Sequence, residues 1–384
     1  MFIGRESELE SLNQLLRKRV ASFVVIRGRR RIGKSRLIKE FSKNHRHYIF
    51  SGLPPTPETT IESQLKEFSK QMARLFKIPF LPFTDWGDAF WFLADKLQGE
   101  RVILVLDEIS WLGSLDPDFL GKLKNAWDLH FKNNPELILI LCGSVSSWID
   151  QNILKNTGFV GRISLNMCIE PLPIKACNAF WRSQGKRLSA YEKLKILSVT
   201  GCIPRYLEEI IPEDTAENNI KNLCFIPEGL LFNEFAQIFF DAFLKKTKIY
   251  QDIMLCLING PLESIEISHK IGYSHNSHFS EYLKELALAG FVSRDYTFNF
   301  KKNKPSKLSR YRIKDNYMRF YLKYIYPNRA LIEQGLYKNK DLSTLPQWYS
   351  LLGYQFENLV LSNRSEIWKS LNLSPNDILI ENPY

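Results

Sequence analysis

The chain has 384 residues, 45% hydrophobic and 24% charged, with 52 Lys and Arg against 41 Asp and Glu, a net charge of +11. This length holds two or three domains, the composition excludes a disordered or fibrous chain, and the positive balance favours anionic partners, with nucleic acid a candidate beside nucleotide. Met1-Phe2-Ile3-Gly4 runs straight into Arg5 and Glu6 without the apolar core of a secretory signal, no apolar run is long enough to cross a bilayer, and the six cysteines form no CxxC pair, so a cytoplasmic protein with free thiols and no membrane partner is expected.

In chain order, Leu9, Leu12, Leu15 and Leu16 share one face of a helix expected over 5–19. Phe23-Val24-Val25-Ile26 reads as a buried strand, and Leu37-Ile38-Lys39-Glu40-Phe41 as the opening of a helix. His47-Tyr48-Ile49-Phe50-Ser51 predicts a second strand, and Pro54, Pro55 and Pro57 mark a loop. Helices are expected over 58–76 and 85–97. Val102-Ile103-Leu104-Val105-Leu106 is an apolar run ending in Asp107-Glu108. After a helix at 117–131 comes a second such run, Leu137-Ile138-Leu139-Ile140-Leu141, ending in Cys142-Gly143-Ser144. Continuous apolar runs suit strands buried on both faces of a parallel sheet. Their alternation with helices indicates a doubly wound α/β sheet, which places ligands at the carboxyl ends of its strands.

Between the first strand and its helix stands Gly28-Arg29-Arg30-Arg31-Ile32-Gly33-Lys34-Ser35, a full match to the phosphate-loop pattern GxxxxGK[ST], with Arg36 following. Glycines let backbone N–H groups turn inward around phosphate oxygens, and the new helix contributes a partial positive charge. Lys34 can reach the β- and γ-phosphates, and the Ser35 hydroxyl can ligate Mg²⁺. Asp107 supplies a further metal-site acid and Glu108 a base to polarise an attacking water. ATP and Mg²⁺ are therefore the expected ligands. Ser144 reads either as a partner of the γ-phosphate or attacking water, or as the N-cap of a following helix. Arg162 reads either as an arginine finger or as a surface arginine or helix-end partner. His45 with His47, and His275 with His278, lack companion ligands at zinc spacing and read as surface residues.

From about 173 to 243 the pattern turns helical, punctuated by Pro204, Pro212 and Pro227. Helices at 249–258, 263–271 and 277–289, then strand-like pieces at 291–299 and 308–313, match a winged helix-turn-helix. Asn276, Ser277, His278, Ser280 and Lys284 form a polar helix face. Lys301, Lys302, Lys304, Lys307, Arg310 and Arg312 make a basic wing, so residues 276–312 are a candidate surface for duplex DNA. The other reading has this module pack as a lid, and Glu281 and Glu285 disfavour close approach to DNA.

Several motifs together resemble a known family. Phe2-Ile3-Gly4-Arg5-Glu6-Ser7-Glu8-Leu9 is similar to the FxGRExEL box that opens archaeal-type AAA-like ATPases of the STAND class. The GRRRxGKS loop is similar to theirs, and Gly201-Cys202-Ile203-Pro204-Arg205-Tyr206-Leu207 resembles their GGxPxYL element, with Cys202 in place of the second glycine. Asp315-Asn316-Tyr317-Met318-Arg319-Phe320-Tyr321 resembles the segment after their winged helix. The resemblance implies that Phe2, Ile3 and Arg5 lie near adenine and ribose, that Pro204 contacts the base from a helical lid, and that the protein is an ATPase, slow in the manner of a switch. A nucleotide-dependent oligomer is a further expectation. The implied organisation is a phosphate-loop core at 1–172, a helical lid at 173–245, a winged helix at 246–314 and a helical segment at 315–384. In that last segment Tyr354-Gln355-Phe356-Glu357-Asn358 resembles the opening helix of a restriction-type nuclease module. No Asp…Glu-x-Lys cluster follows, so a nuclease centre is not completed.

Overall fold

The computed structural model describes residues 2–181, 188–243, 247–299, 301–302 and 304–374. The chain divides into two compact units, Met1–Glu170 and Pro171–Tyr384.

The first unit is built on five parallel strands: β1 Ser22–Arg27, β2 His47–Ser51, β3 Val102–Asp107, β4 Leu137–Gly143 and β5 Ile163–Cys168. Their spatial order is β2-β3-β4-β1-β5. Central β4 is buried at every position and β3 at all but Asp107, as their unbroken apolar sequences require. The helices are α1 Glu6–Leu15, α2 Lys34–Ser42, α3 Ile61–Phe76, α4 Trp86–Lys96, α5 Ile109–Gly113, α6 Phe119–Leu129 and α7 Ser146–Ile149. Helix α3 opens on a capping box in which Thr60 and Ser63 each satisfy the other's backbone amide, and α4 on Asp85, which accepts from Gly87 N. Phe50, Phe68, Trp86, Phe90 and Phe119 interlock in the core, with Phe50 and Phe68 stacked at 4.5 Å. That packing sets the carboxyl end of β3, where Gly52 N donates to Asp107 O at 3.2 Å.

The sequence reading passes over β5. Its Ile-Ser-Leu-Asn-Met-Cys pattern exposes every second residue at the sheet edge and lacks the apolar run that marked β3 and β4.

The second unit is largely helical: α8 Ile174–Cys177, α9 Ala190–Thr200, α10 Pro204–Leu207, α11 Ala216–Cys224, α12 Leu230–Phe243 and α13 Thr247–Cys256. Then come β6 Leu262–Glu263, α14 Ser264–Lys270, α15 Ser277–Leu288, β7 Val292–Asn299 and β8 Lys304–Ile313, the strands ordered β6-β8-β7 and antiparallel. Helices α16 Asn316–Phe320, α17 Arg329–Glu333, α18 Trp348–Ser362 and α19 Arg364–Ser370 complete it. Helix α9 ends at Gly201 (φ 63°), and the next residue, Cys202, is also left-handed (φ 58°). The second position of the Gly201-Cys202 pair thus falls where a side chain is strained by about 1 kcal/mol.

Among the described residues no helix is long and apolar enough to cross a membrane, no group of three or more His, Cys, Asp or Glu is arranged to hold a metal ion, and none of the six cysteines is in a disulfide.

Candidate nucleotide site

β1 delivers the chain into the loop at Gly28, and α2 begins at Lys34. Gly28 has φ 152°, and a Cβ there would lie 2.6 Å from Ile169 O, so only glycine fits this close passage. Arg31 (φ 69°) and Gly33 (φ 96°) are left-handed on either side of Ile32, which is fully buried. Arg29 is buried, Arg30 and Arg31 are half-buried, and Ser35 and Arg36 are exposed on the first turn of α2. Lys34 is 6% exposed, and its Nζ donates to Gly28 O at 2.9 Å and Arg29 O at 3.2 Å, so the ammonium lies folded inside the loop's curve.

The two acids stand beside this loop. Ser35 Oγ donates to Asp107 Oδ2 at 3.1 Å, and Glu108 N donates to Asp107 Oδ1 at 3.1 Å. Glu108 is itself left-handed (φ 50°, ψ 53°) at the start of α5. Ser144, just past β4, donates to Glu108 Oε2 from its amide at 3.1 Å and from its hydroxyl at 2.9 Å. Of the two readings of Ser144, the cap is not made: α7 starts after Val145 and has no side-chain cap. One hydrogen-bonded chain therefore joins Ser35, Asp107, Glu108 and Ser144 across the carboxyl ends of β1, β3 and β4. A cluster of hard oxygen donors beside a glycine loop and a helix start can hold a polyphosphate with a small divalent cation.

Cys142, which the sequence reading did not single out, lies beneath these acids on β4 and is fully buried. Burial first, then the Asp107 carboxylate, pushes its thiol well above the usual range, against an opposing pull from Lys34. It is thus a neutral floor to the site. Its only sequence signal is its position one residue before the Gly143-Ser144 turn.

Other expected residues lie differently. Arg162 stands one residue before β5, whose Ile163 pairs with Phe23 while Cys168 pairs with Arg27 at the loop end. That is the opposite, amino end of the strands, about 16 Å away at ~3.3 Å per residue. There Arg162 forms a two-pronged pair with Asp128, Nε to Oδ1 at 2.9 Å and Nη2 to Oδ2 at 2.8 Å. The structure does not bring Arg162 together with the chain's own phosphate loop, because it precedes its strand instead of following it. Arg5, expected near ribose, has both terminal nitrogens engaged: Nη1 donates to Glu8 Oε1 at 2.9 Å and Nη2 to Ile32 O at 3.0 Å. Phe2 and Ile3 are half-buried just ahead of it. Pro204 lies in the second unit, at the first position of α10.

A family model described as an ATPase domain predominantly from Archaea matches residues 2–210, more than half the chain. The chain belongs to this ATPase family. An uncharacterized protein of Methanocaldococcus jannaschii is 28% identical to it over 366 residues, which span 94% of this chain and 76% of that protein. An uncharacterized ATP-binding protein of the same organism is 43% identical over 44 residues, 12% of this chain and 75% of its own length. Among solved structures, the Walker-type ATPase of Pyrococcus abyssi shares the fold with a TM-score of 0.58 at 17% identity, over 84% of this chain and 96% of that one. The family match takes in every part of the nucleotide site described above, from Phe2 to Ser144, and extends to Pro204 in the second unit.

Proposed function

We propose that the protein is an ATP-driven switch, converting ATP and water to ADP and phosphate, with Gly28–Arg36 as its phosphate cradle. The 3.1 Å contact between Ser35 and Asp107 carries this reading, because it joins the loop to the acids through the two groups that suit a metal. Lys34 would exchange its loop carbonyls for β- and γ-phosphate oxygens, and the loop amides would hold the remaining negative charge. The Ser35 hydroxyl and Asp107 are hard oxygen donors matched to Mg²⁺, which when bound neutralises charge on the β- and γ-phosphates. Glu108 would take a proton from the attacking water as its oxygen bonds to the γ-phosphorus and the bond to the bridging oxygen breaks, releasing ADP. Phe2 and Ile3, just ahead of the loop-bound Arg5, are the groups proposed for the adenine end. Pro204 is the proposed contact from the lid, through which the nucleotide state reaches the second unit. Phosphate release from Mg-ATP tests the reading: the wild type turns over, and a Lys34→Ala chain that turned over equally well would reject it.

A second reading, a DNA-binding protein that uses ATP as a regulatory ligand, is supported by one arrangement. The three helices α13 to α15 and the three-stranded sheet have the order of a winged helix. Ser277, His278, Ser280 and Lys284 are exposed on α15, and Lys301, Lys302, Lys304, Lys307 and Arg310 are exposed on the β7–β8 hairpin. Arg312 is not part of that face, being buried against Asp295 at 2.6 Å. A gel shift on duplex DNA across a salt series tests it: retardation that weakens steeply with salt is expected, and none at low salt rejects it.

A further inference from the structure

The entry to α1 is strained in a way that capping does not explain. Gly4 (φ 69°) and Arg5 (φ 71°) are left-handed in succession, and Arg5 makes no side-chain cap for α1. An L-residue in this region costs about 1 kcal/mol. The turn sends the Arg5 side chain inward until it is 5% exposed, where it reaches across to Ile32 O. Glu8 holds the other terminal nitrogen and is itself held by Ser7 Oγ at 2.8 Å, so the guanidinium is fixed from both sides.

What it grips is a loop peptide that lies ahead of the helix, so the helical hydrogen bonds do not set its orientation. Ile32 stands between two left-handed residues, and the first helical bond of α2, Leu37 N to Gly33 O at 3.0 Å, begins after it. In a trans peptide the carbonyl and the following N–H point to opposite sides. Holding Ile32 O toward Arg5 therefore turns the Gly33 N–H away from Arg5. We infer that Arg5 is a positioning residue of the phosphate loop, which fixes the Ile32–Gly33 peptide so that the Gly33 amide serves phosphate, and that it does not contact adenine or ribose.

This rests on the nucleotide-binding reading, and the test separates the two. Binding of Mg-ATP and of inorganic tripolyphosphate, which lacks base and sugar, is measured by calorimetry on the full chain for wild type, Arg5→Ala, Arg5→Lys and Phe2→Ala, with melting curves for each. Arg5→Ala is expected to weaken both ligands by the same factor, roughly tenfold for loss of a charged hydrogen bond. Arg5→Lys is expected to recover part of that loss, because an ammonium still donates to one carbonyl, whereas Phe2→Ala is expected to weaken ATP alone. Loss of ATP affinity with tripolyphosphate unchanged, or no change in either, overturns the inference while leaving nucleotide binding intact. A wild type that binds neither ligand rejects the reading beneath it and the inference together. Should Arg5→Ala fail to fold, Arg5→Lys must still weaken both ligands by one common factor, and an effect on ATP alone is again decisive against.

Discussion

Glu108 shows how a costly residue is kept in place. Its left-handed backbone sits in contact range of Gly52, where any Cβ would lie 3.2 Å from Glu108 O and 2.9 Å from Leu112 N. Two donors from Ser144 then hold Oε2. Non-glycine residues in this region persist only where their surroundings over-determine them, which is commonest at working sites. If Ser144 acts through Glu108, Ser144→Ala lowers kcat about tenfold with little change in KM, and Ser144→Thr keeps most of the rate. In single-turnover measurements on a Glu108→Gln background the same Ser144→Ala change then has less than about a twofold effect, since coupled residues are non-additive. Equal losses in both backgrounds would place Ser144 on the phosphate instead.

At the level of elements, legibility followed burial. Runs such as Val102–Leu106 and Leu137–Leu141, alternating with helices, read as strands buried on both faces, whereas the helix starts were read only roughly, α3 beginning at Ile61 behind its Thr60 cap and not at 58. The acids of the site were readable because they terminate such strands. The Arg5–Ile32 contact was not, because a motif gives residue types and not the direction a side chain takes after a left-handed turn. The five residues 354–358 carry a similar lesson. They resemble the start of a nuclease helix, yet Gln355 and Asn358 are buried in α18, Gln355 donating to Ser198 O at 2.9 Å and Asn316 O at 2.7 Å, and Asn358 to Ile313 O at 3.0 Å. Asn358→Ala should therefore cost about 2–3 kcal/mol in denaturant unfolding, because it strands buried polar groups around Arg312 and Asn316. Phe356→Ala, at a side chain 54% exposed, should stay within about 0.5 kcal/mol. Between α6 and β5, the Arg162 hydrogen bonds, followed by those of Lys124, hold Asp128 far below the usual carboxylate range. A depressed folded-state pKa adds stability above the ordinary carboxylate pKa of about 4, and loses it as pH falls through the folded value. Wild type should thus exceed Asp128→Asn by up to about 1 kcal/mol at pH 7, the gap narrowing below about pH 4; a gap that widens on acidification would contradict the pairing.

For the whole molecule, a net charge of +11 and a phosphate cradle in the first unit both point to anions, but at different ranges. Surface lysines act over a Debye length of about 8 Å at physiological salt, so their contribution fades as salt rises. On the proposed reading the cradle would bind through loop amides and the buried Lys34 ammonium, and it should then hold ATP at salt concentrations that abolish DNA retardation. A switch also demands that nucleotide change the arrangement of the chain. Small-angle scattering with Mg-ATP and with Mg-ADP should differ for the Glu108→Gln protein, and superimposable curves would remove the switch while leaving the ATPase.

The most direct measurement combines equilibrium Mg-ATP binding with phosphate release for wild type, Lys34→Ala and Glu108→Gln. Lys34→Ala should lose binding and turnover together. Glu108→Gln should bind ATP as tightly as wild type while its turnover falls by roughly 100-fold or more. A Glu108→Gln protein that releases phosphate at the wild-type rate would contradict the account at its centre.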